Sequence, residues 1–82
     1  MELKEIIRGV EDIVKGYLEI TPIVDQPLSR YDGMDSLAAL VIMRTVEDTY
    51  AIRFRPGDVE NFRYMTPHEI SDYVHNMREV NM

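Results

Sequence analysis

The sequence predicts an all-α fold, a small antiparallel bundle of three main helices and one short helix. Apolar residues recur at three- and four-residue intervals in three separate stretches, which is the period of an amphipathic helix. The one alternating stretch, residues 51–56, has no partner strand with which to form a sheet. A chain of 82 residues is expected to form one domain, residues 1–82.

The first helix is predicted from Leu3 to Leu18. Its apolar stripe consists of Leu3, Ile6, Ile7, Val10, Ile13, Val14, Tyr17 and Leu18. Gly9 and Gly16 lower its helix propensity, and Pro22 disfavours helix at the residue before it. A long loop, residues 20–35, then leads to the second helix. Loops of this length in small domains are usually functional or held by contacts, so this loop is a candidate for either role.

The second helix is predicted from Ser36 to Tyr50, and residues 51–56 follow it as an extended connector. The connector's inward-facing side chains are Ile52 and Phe54, and its outward-facing side chains are Arg53 and Arg55. Asp58 is expected to cap a short helical turn. The inner side of that turn is predicted to hold Val59 and Phe62.

The last helix begins at a clear start signal. Thr66 is predicted as the N-cap, Pro67 as the first helical residue and Glu69 as the third, which together form a capping box. The apolar face of this helix consists of Ile70, Tyr73, Val74 and Met77.

Composition excludes several classes of protein. The net charge of −6 and the pI of about 4.7 disfavour binding to nucleic acid. No apolar run reaches the length of about 18 residues that a membrane span requires, and no signal peptide is visible. The absence of cysteine excludes disulfides and is compatible with the cytoplasm. We therefore expect a cytoplasmic monomer.

The second helix carries two apolar faces, although a surface helix needs only one. Its conventional core face consists of Ala39, Ile42, Met43, Val46 and Tyr50. A different arc consists of Leu37, Leu40, Val41, Arg44, Glu47 and Asp48. Either the helix is central and buried on most sides, or this arc is an exposed patch that docks partners. The three charged residues on the arc favour exposure.

The motif Asp35-Ser36-Leu37, two residues after Gly33 and at the start of a helix, resembles the acyl carrier protein family. The similarity continues downstream along nearly the whole chain. The segment 46–52 resembles the end of that family's second helix, and segments 59–60 and 66–74 resemble its third and fourth helices. The tripeptide alone is weak, but it is fairly specific in this register and in a chain this short.

The resemblance implies that Ser36 is esterified with 4′-phosphopantetheine, taken from coenzyme A by a phosphopantetheinyl transferase. The arm's thiol would carry acyl groups as thioesters for fatty acid, lipid or polyketide-type biosynthesis. Asp35 would help to place a magnesium ion in the transferase complex. Leu37 matches the apolar residue that partner enzymes grip. Those partners would be acyl-activating, ketosynthase or acyltransferase enzymes, and the chain would perform no catalysis itself.

The sequence also departs from the family's pattern. Ala38 and Val41 stand where members usually carry acids, and Arg44 adds a positive charge where members tend to be apolar. Residues 28–57 contain four acids and four bases and are therefore neutral, whereas the segments on either side are each −3. Electrostatic steering toward a basic partner should be weaker than usual. We therefore expect a specialised carrier with its own partners.

Other interpretations remain open at this stage. Ser36 could be a plain helix N-cap, the chain could be an aminoacyl or peptidyl carrier loaded by an adenylating enzyme, or it could be an unmodified interaction domain. A serine hydrolase is disfavoured because neither His68 nor His75 has a sequence reason to lie near Ser36. The two histidines are seven residues apart on one helix, too far to share an ion, so no metal site is expected.

Overall fold

The computed structural model describes residues 2–80, and all the regular secondary structure within them is helical. The helices are α1 (Leu3–Leu18), α2 (Ser36–Tyr50), α3 (Pro56–Val59) and α4 (Pro67–Val80), with 3-10 turns at Leu28–Arg30 and Phe62–Tyr64. This confirms the predicted all-α bundle and the predicted bounds of the first two helices. No strand occurs in the described part of the chain, and none of its helices has the length and apolarity to cross a membrane.

One apolar core forms where the three long helices meet, with α1 packed against both α2 and α4. The core residues of these helices are Ile6, Val10 and Val14 on α1, Ala38, Ala39, Ile42, Met43, Val46 and Tyr50 on α2, and Ile70 and Val74 on α4. Burial of each large aliphatic side chain stabilises the fold by about 1.5–3 kcal/mol. Tyr17, which the periodicity places on the inner stripe of α1, is instead 44% exposed near the end of that helix.

The capping box at the start of α4 is confirmed. The Thr66 backbone N–H donates to Glu69 Oε1 at 2.9 Å, and the Glu69 N–H donates back to Thr66 Oγ1 at 3.0 Å. Two backbone donors that the helix itself cannot satisfy are thereby bonded.

The short helix differs from its predicted form. Proline favours the first helical position because its φ angle is already helical, so α3 begins at Pro56 and Asp58 lies inside the helix rather than capping it. Val59 points to solvent and is 40% exposed, whereas Phe62 is fully buried as predicted.

The connector between α2 and α3 packs into the core as predicted. Ile52 and Phe54 are buried, and the arginines beside them are exposed. The Phe54 ring meets Phe62 edge to face at a centroid distance of 5.3 Å and stacks on Tyr73 at 4.7 Å. Such aromatic pairs contribute about 0.5–1.5 kcal/mol beyond their burial, so this cluster joins the connector to the second 3-10 turn and to α4.

The long loop before α2 is held by contacts rather than left loose. Leu28 is fully buried, and its N–H donates to the Met65 carbonyl oxygen at 3.0 Å. Nearer α1, the His68 N–H donates to the Val24 carbonyl oxygen at 3.1 Å. These bonds tie the loop to the segment before α4 and to the start of α4, and so fix the path by which the chain reaches α2.

Candidate functional site

At the start of α2, an acidic residue caps the helix and the next residue exposes its hydroxyl group. Asp35 is the N-cap: its backbone is extended, and its Oδ1 accepts a hydrogen bond from the Ala38 N–H at 2.8 Å. Ser36 is the first helical residue and is exposed. Gly33 turns the chain into this cap with a φ of 86°, a conformation that glycine adopts without steric cost. The interpretation of Ser36 as a plain N-cap is therefore wrong, because the N-cap residue is Asp35.

A second element brings a positive charge to the serine. Arg63, on the second 3-10 turn, places its Nη1 3.5 Å from Ser36 Oγ. Its Nη2 donates to the Tyr64 hydroxyl at 2.7 Å, and its guanidinium carbon lies 4.9 Å from the centroid of the Tyr64 ring. Arg63 was not among the predicted site residues, because 27 residues separate it from Ser36 and no local sequence pattern links the two.

An open groove of about 500 Å³ begins at the serine. One wall is α2, and the other is α3 with the segment that follows it. Its main lining residues are Ser36, Leu40, Val59, Asn61, Arg63 and Tyr64. The groove therefore combines apolar side chains with polar groups, among them the Ser36 hydroxyl, the Arg63 guanidinium and the carboxylate of Glu60.

The outer surface of α2 carries an apolar patch, the docking face, formed by Leu37, Leu40 and Val41. Their exposed fractions are 66%, 40% and 38%, which confirms the predicted exposure. The alternative that α2 is buried on most sides is wrong. Arg44 and Asp48, farther along the same arc, are also exposed.

Two residues assigned to the exposed side of α2 are instead buried. Glu47 is only 4% exposed, and its Oε2 accepts a hydrogen bond from the Phe54 N–H at 2.8 Å. The connector folds back over this side chain, so Glu47 is not on the exposed arc where the sequence placed it. Ala38 is 2% exposed, so it offers almost no side-chain surface for a partner to contact.

The buried carboxylate of Glu47 has positive neighbours. Arg44 Nη1 lies 3.4 Å from its Oε1, and Arg53 Nη1 lies 3.9 Å from the same atom. Both arginines extend into solvent, so water screens their share of the attraction. Within residues 2–80 no group of three or more His, Cys, Asp or Glu side chains is arranged to hold a metal ion.

A family model described as a phosphopantetheine attachment site matches residues 3–74 of the chain. The match runs from the first residue of α1 into α4 and includes the start of α2 and the second 3-10 turn. Comparison with curated proteins and with solved structures finds no match.

The burial of Glu47 leads to a stability prediction. Glu47→Ala leaves the Phe54 N–H without its acceptor, so we expect the free energy of unfolding to fall by about 2 kcal/mol. Urea denaturation followed by circular dichroism measures the change. Glu47→Gln keeps an acceptor oxygen and should lose less.

The neighbouring residue supplies a matched control. Asp48 is exposed, so we expect Asp48→Ala to change the free energy of unfolding by less than about 0.5 kcal/mol. Equal losses for Glu47→Ala and Asp48→Ala would show that the carboxylate of Glu47 does not hold the connector.

Proposed function

Because the chain belongs to the phosphopantetheine attachment site family, we propose that Ser36 carries the 4′-phosphopantetheine arm and that the protein shuttles acyl intermediates between enzymes. The arm is the covalent cofactor of this family. Its terminal thiol holds the cargo as a thioester. The cargo that we propose is an acyl group of fatty acid, lipid or polyketide-type biosynthesis, in line with the resemblance of the motif at 35–37 to acyl carrier proteins.

The observation that carries this proposal is the exposed Ser36 hydroxyl at the first position of α2. The chain has three serines. Ser71 is buried, and its Oγ donates to the Pro67 carbonyl oxygen at 2.7 Å. Ser29 is exposed but lies in a three-residue 3-10 turn. Ser36 alone of the three combines exposure with the start of a long helix, where backbone N–H groups favour a phosphate.

The residues around Ser36 also fit the group. Asp35 satisfies the helix end and so leaves the Ser36 hydroxyl available for esterification. The groove beside it offers apolar lining and an arginine. In this proposal the chain displays the hydroxyl, anchors the arm and docks partners, while the chemistry belongs to the partner enzymes. A tether of this kind raises the effective concentration of the cargo at each active site.

Asp35 has two roles in the proposal. One is the helix cap already described, which uses Oδ1. The other is to help place a magnesium ion in the complex with the phosphopantetheinyl transferase, since magnesium prefers carboxylate oxygens. The two roles make different demands on the side chain, because capping needs an acceptor oxygen and magnesium binding favours a charge.

The docking face supports a carrier with partners of its own. Around the serine, α2 exposes Leu37 and Val41 and has no exposed acid before Asp48. Association should therefore depend on apolar contact more than on charge. The loss of Glu47 from this surface strengthens that argument, because it removes one of the two acids that the sequence analysis left on the arc.

Modification of Ser36 is tested by mass spectrometry. After incubation with a phosphopantetheinyl transferase and coenzyme A, we expect the wild-type protein to gain the mass of one arm. Ser36→Ala should gain none, and Ser29→Ala, a matched exposed serine, should gain one arm. An unmodified wild type, or a modified Ser36→Ala, contradicts the proposal and leaves an unmodified interaction domain.

The cargo is tested on the loaded protein. We expect an acyl-activating or acyltransferase enzyme to charge the arm. Charging by an amino-acid-adenylating enzyme in preference would identify an aminoacyl or peptidyl carrier instead.

The two roles of Asp35 are separable by substitution. Asp35→Asn keeps the acceptor oxygen, so we expect its free energy of unfolding to stay within about 0.5 kcal/mol of wild type while kcat/KM for modification falls roughly tenfold or more. Asp35→Ala should lose about 1 kcal/mol of stability in addition. Modification of Asp35→Asn at the wild-type rate would limit Asp35 to capping.

The docking face is tested by truncation of its side chains. We expect Leu37→Ala and Val41→Ala each to weaken association with the transferase roughly tenfold, through loss of apolar contact. Ile23→Ala removes an apolar side chain of intermediate exposure (58%, against 66% for Leu37 and 38% for Val41) from the loop and should change affinity less than about twofold. The affinities are measured by titration calorimetry.

Two outcomes of the binding measurements would oppose a specialised carrier. One is a steep fall in affinity as salt rises, which indicates charge-driven recognition. The other is full-affinity binding of the loaded protein to a housekeeping fatty-acid ketosynthase.

A further inference from the structure

We propose that Arg63 and Tyr64 form a phosphodiester-binding subsite that holds the root of the arm against the groove. This inference rests on the proposed attachment at Ser36. It assigns a role to a residue that neither the motif at 35–37 nor the docking face includes. The ligand is the singly charged phosphodiester that would join Ser36 to the arm.

The position of Arg63 favours contact with a phosphate on Ser36. Arg63 Nη1 already lies 3.5 Å from Ser36 Oγ, a weak contact for a neutral hydroxyl. A phosphorus bonded to that oxygen brings two non-bridging oxygens, which share one negative charge, to the side of the guanidinium. Arginine suits this group because its planar fork can donate two parallel hydrogen bonds to phosphate oxygens.

The side chain of Arg63 is held in place by its neighbours. Arg63 Nη2 donates to the Tyr64 hydroxyl at 2.7 Å, and the guanidinium lies over the Tyr64 ring. The turn that carries both residues is anchored by the fully buried Phe62 and by the hydrogen bond from the Met65 N–H to the Phe62 carbonyl oxygen. The long arginine side chain is thereby restrained before any ligand arrives, which lowers the entropy cost of binding.

The positive charge of Arg63 also favours a phosphate at this position. None of the ion pairs found among residues 2–80 includes Arg63. Asp35, which precedes the serine, and Glu60, which lines the same groove, carry carboxylates that repel an added phosphate. The positive end of the α2 dipole and the guanidinium of Arg63 oppose that repulsion. Arg63 is thus the cation that makes a phosphodiester favourable beside an acidic cap.

The consequence concerns the direction of the arm. A phosphate held by Arg63 starts the arm toward the groove between Leu40 and Tyr64 and away from the exposed side chain of Leu37. A partner that contacts Leu37 and Val41, which do not line the groove, therefore meets an arm that leaves Ser36 along a different surface.

The test compares the thermal stability of loaded and unloaded protein. Loading is driven to completion and verified by mass for wild type, Arg63→Gln, Arg63→Lys and the control Arg8→Gln, an exposed arginine on α1 that does not line the groove. The measured quantity is the Tm of the loaded form minus the Tm of the unloaded form. This difference cancels any effect that a substitution has on the fold itself.

We expect loading to raise the Tm of wild type and of Arg8→Gln more than it raises the Tm of Arg63→Gln, by a margin of roughly 4 °C. This margin is the shift that one charge-assisted hydrogen bond gives in a domain of this size. Arg63→Lys should retain part of the difference, and high salt should reduce it. Equal differences in wild type and Arg63→Gln overturn the subsite while leaving attachment at Ser36 intact. An absence of added mass overturns both proposals together.

A second measurement needs no substitution. We expect the side-chain Nε–H resonance of Arg63 in the wild-type protein to shift on loading, and the ³¹P resonance of the arm to differ from that of free pantetheine phosphate diester. An unchanged Arg63 resonance in fully loaded protein contradicts the subsite.

Discussion

The buried carboxylate of Glu47 is the constraint on which the geometry of the site depends. It accepts the Phe54 N–H, and the Glu47 backbone carbonyl accepts the N–H groups of Ala51 and Ile52. A buried charge is costly unless it is hydrogen-bonded and neutralised, and Arg44 and Arg53 supply the opposite charge. These bonds determine where the chain leaves α2. Phe54 is thereby brought onto the Phe62 ring, and the turn that Phe62 begins carries Arg63 to the serine at the other end of the helix.

Local signals were sufficient to predict most of the fold. The bounds of α1 and α2 follow from apolar spacing, and the start of α4 follows from Thr66, Pro67 and Glu69, because each signal acts within one or two helical turns. The two apolar faces of α2 were readable for the same reason. At the site, the exposure of the docking face and the position of Ser36 at the start of α2 came from sequence alone.

Three features that sequence reasoning missed depend on contacts made outside a single helix. Helical period places Glu47 on an outward arc, and only the return of the connector buries it. Gly9 reads as a weak point in α1, yet the Tyr50 hydroxyl occupies the place where a side chain at Gly9 would lie and donates to the Ile6 carbonyl oxygen at 3.4 Å. Arg63 belongs to the same class, since its neighbour in space is 27 residues away. A period describes one helix, whereas burial is decided by what packs against it.

The helix α2 has three distinct surfaces, and Ser36 lies at its start. The core face holds the helix in the bundle, the docking face looks outward, and the groove begins at Ser36 between α2 and the second 3-10 turn. Leu40 belongs to both the docking face and the groove, so under the proposed function a change there is expected to alter partner contact and arm placement together. Leu37 and Val41 line no part of the groove, and Arg63 lies off the docking face. In the proposed function, recognition and arm placement can therefore be perturbed separately, because they depend on different side chains.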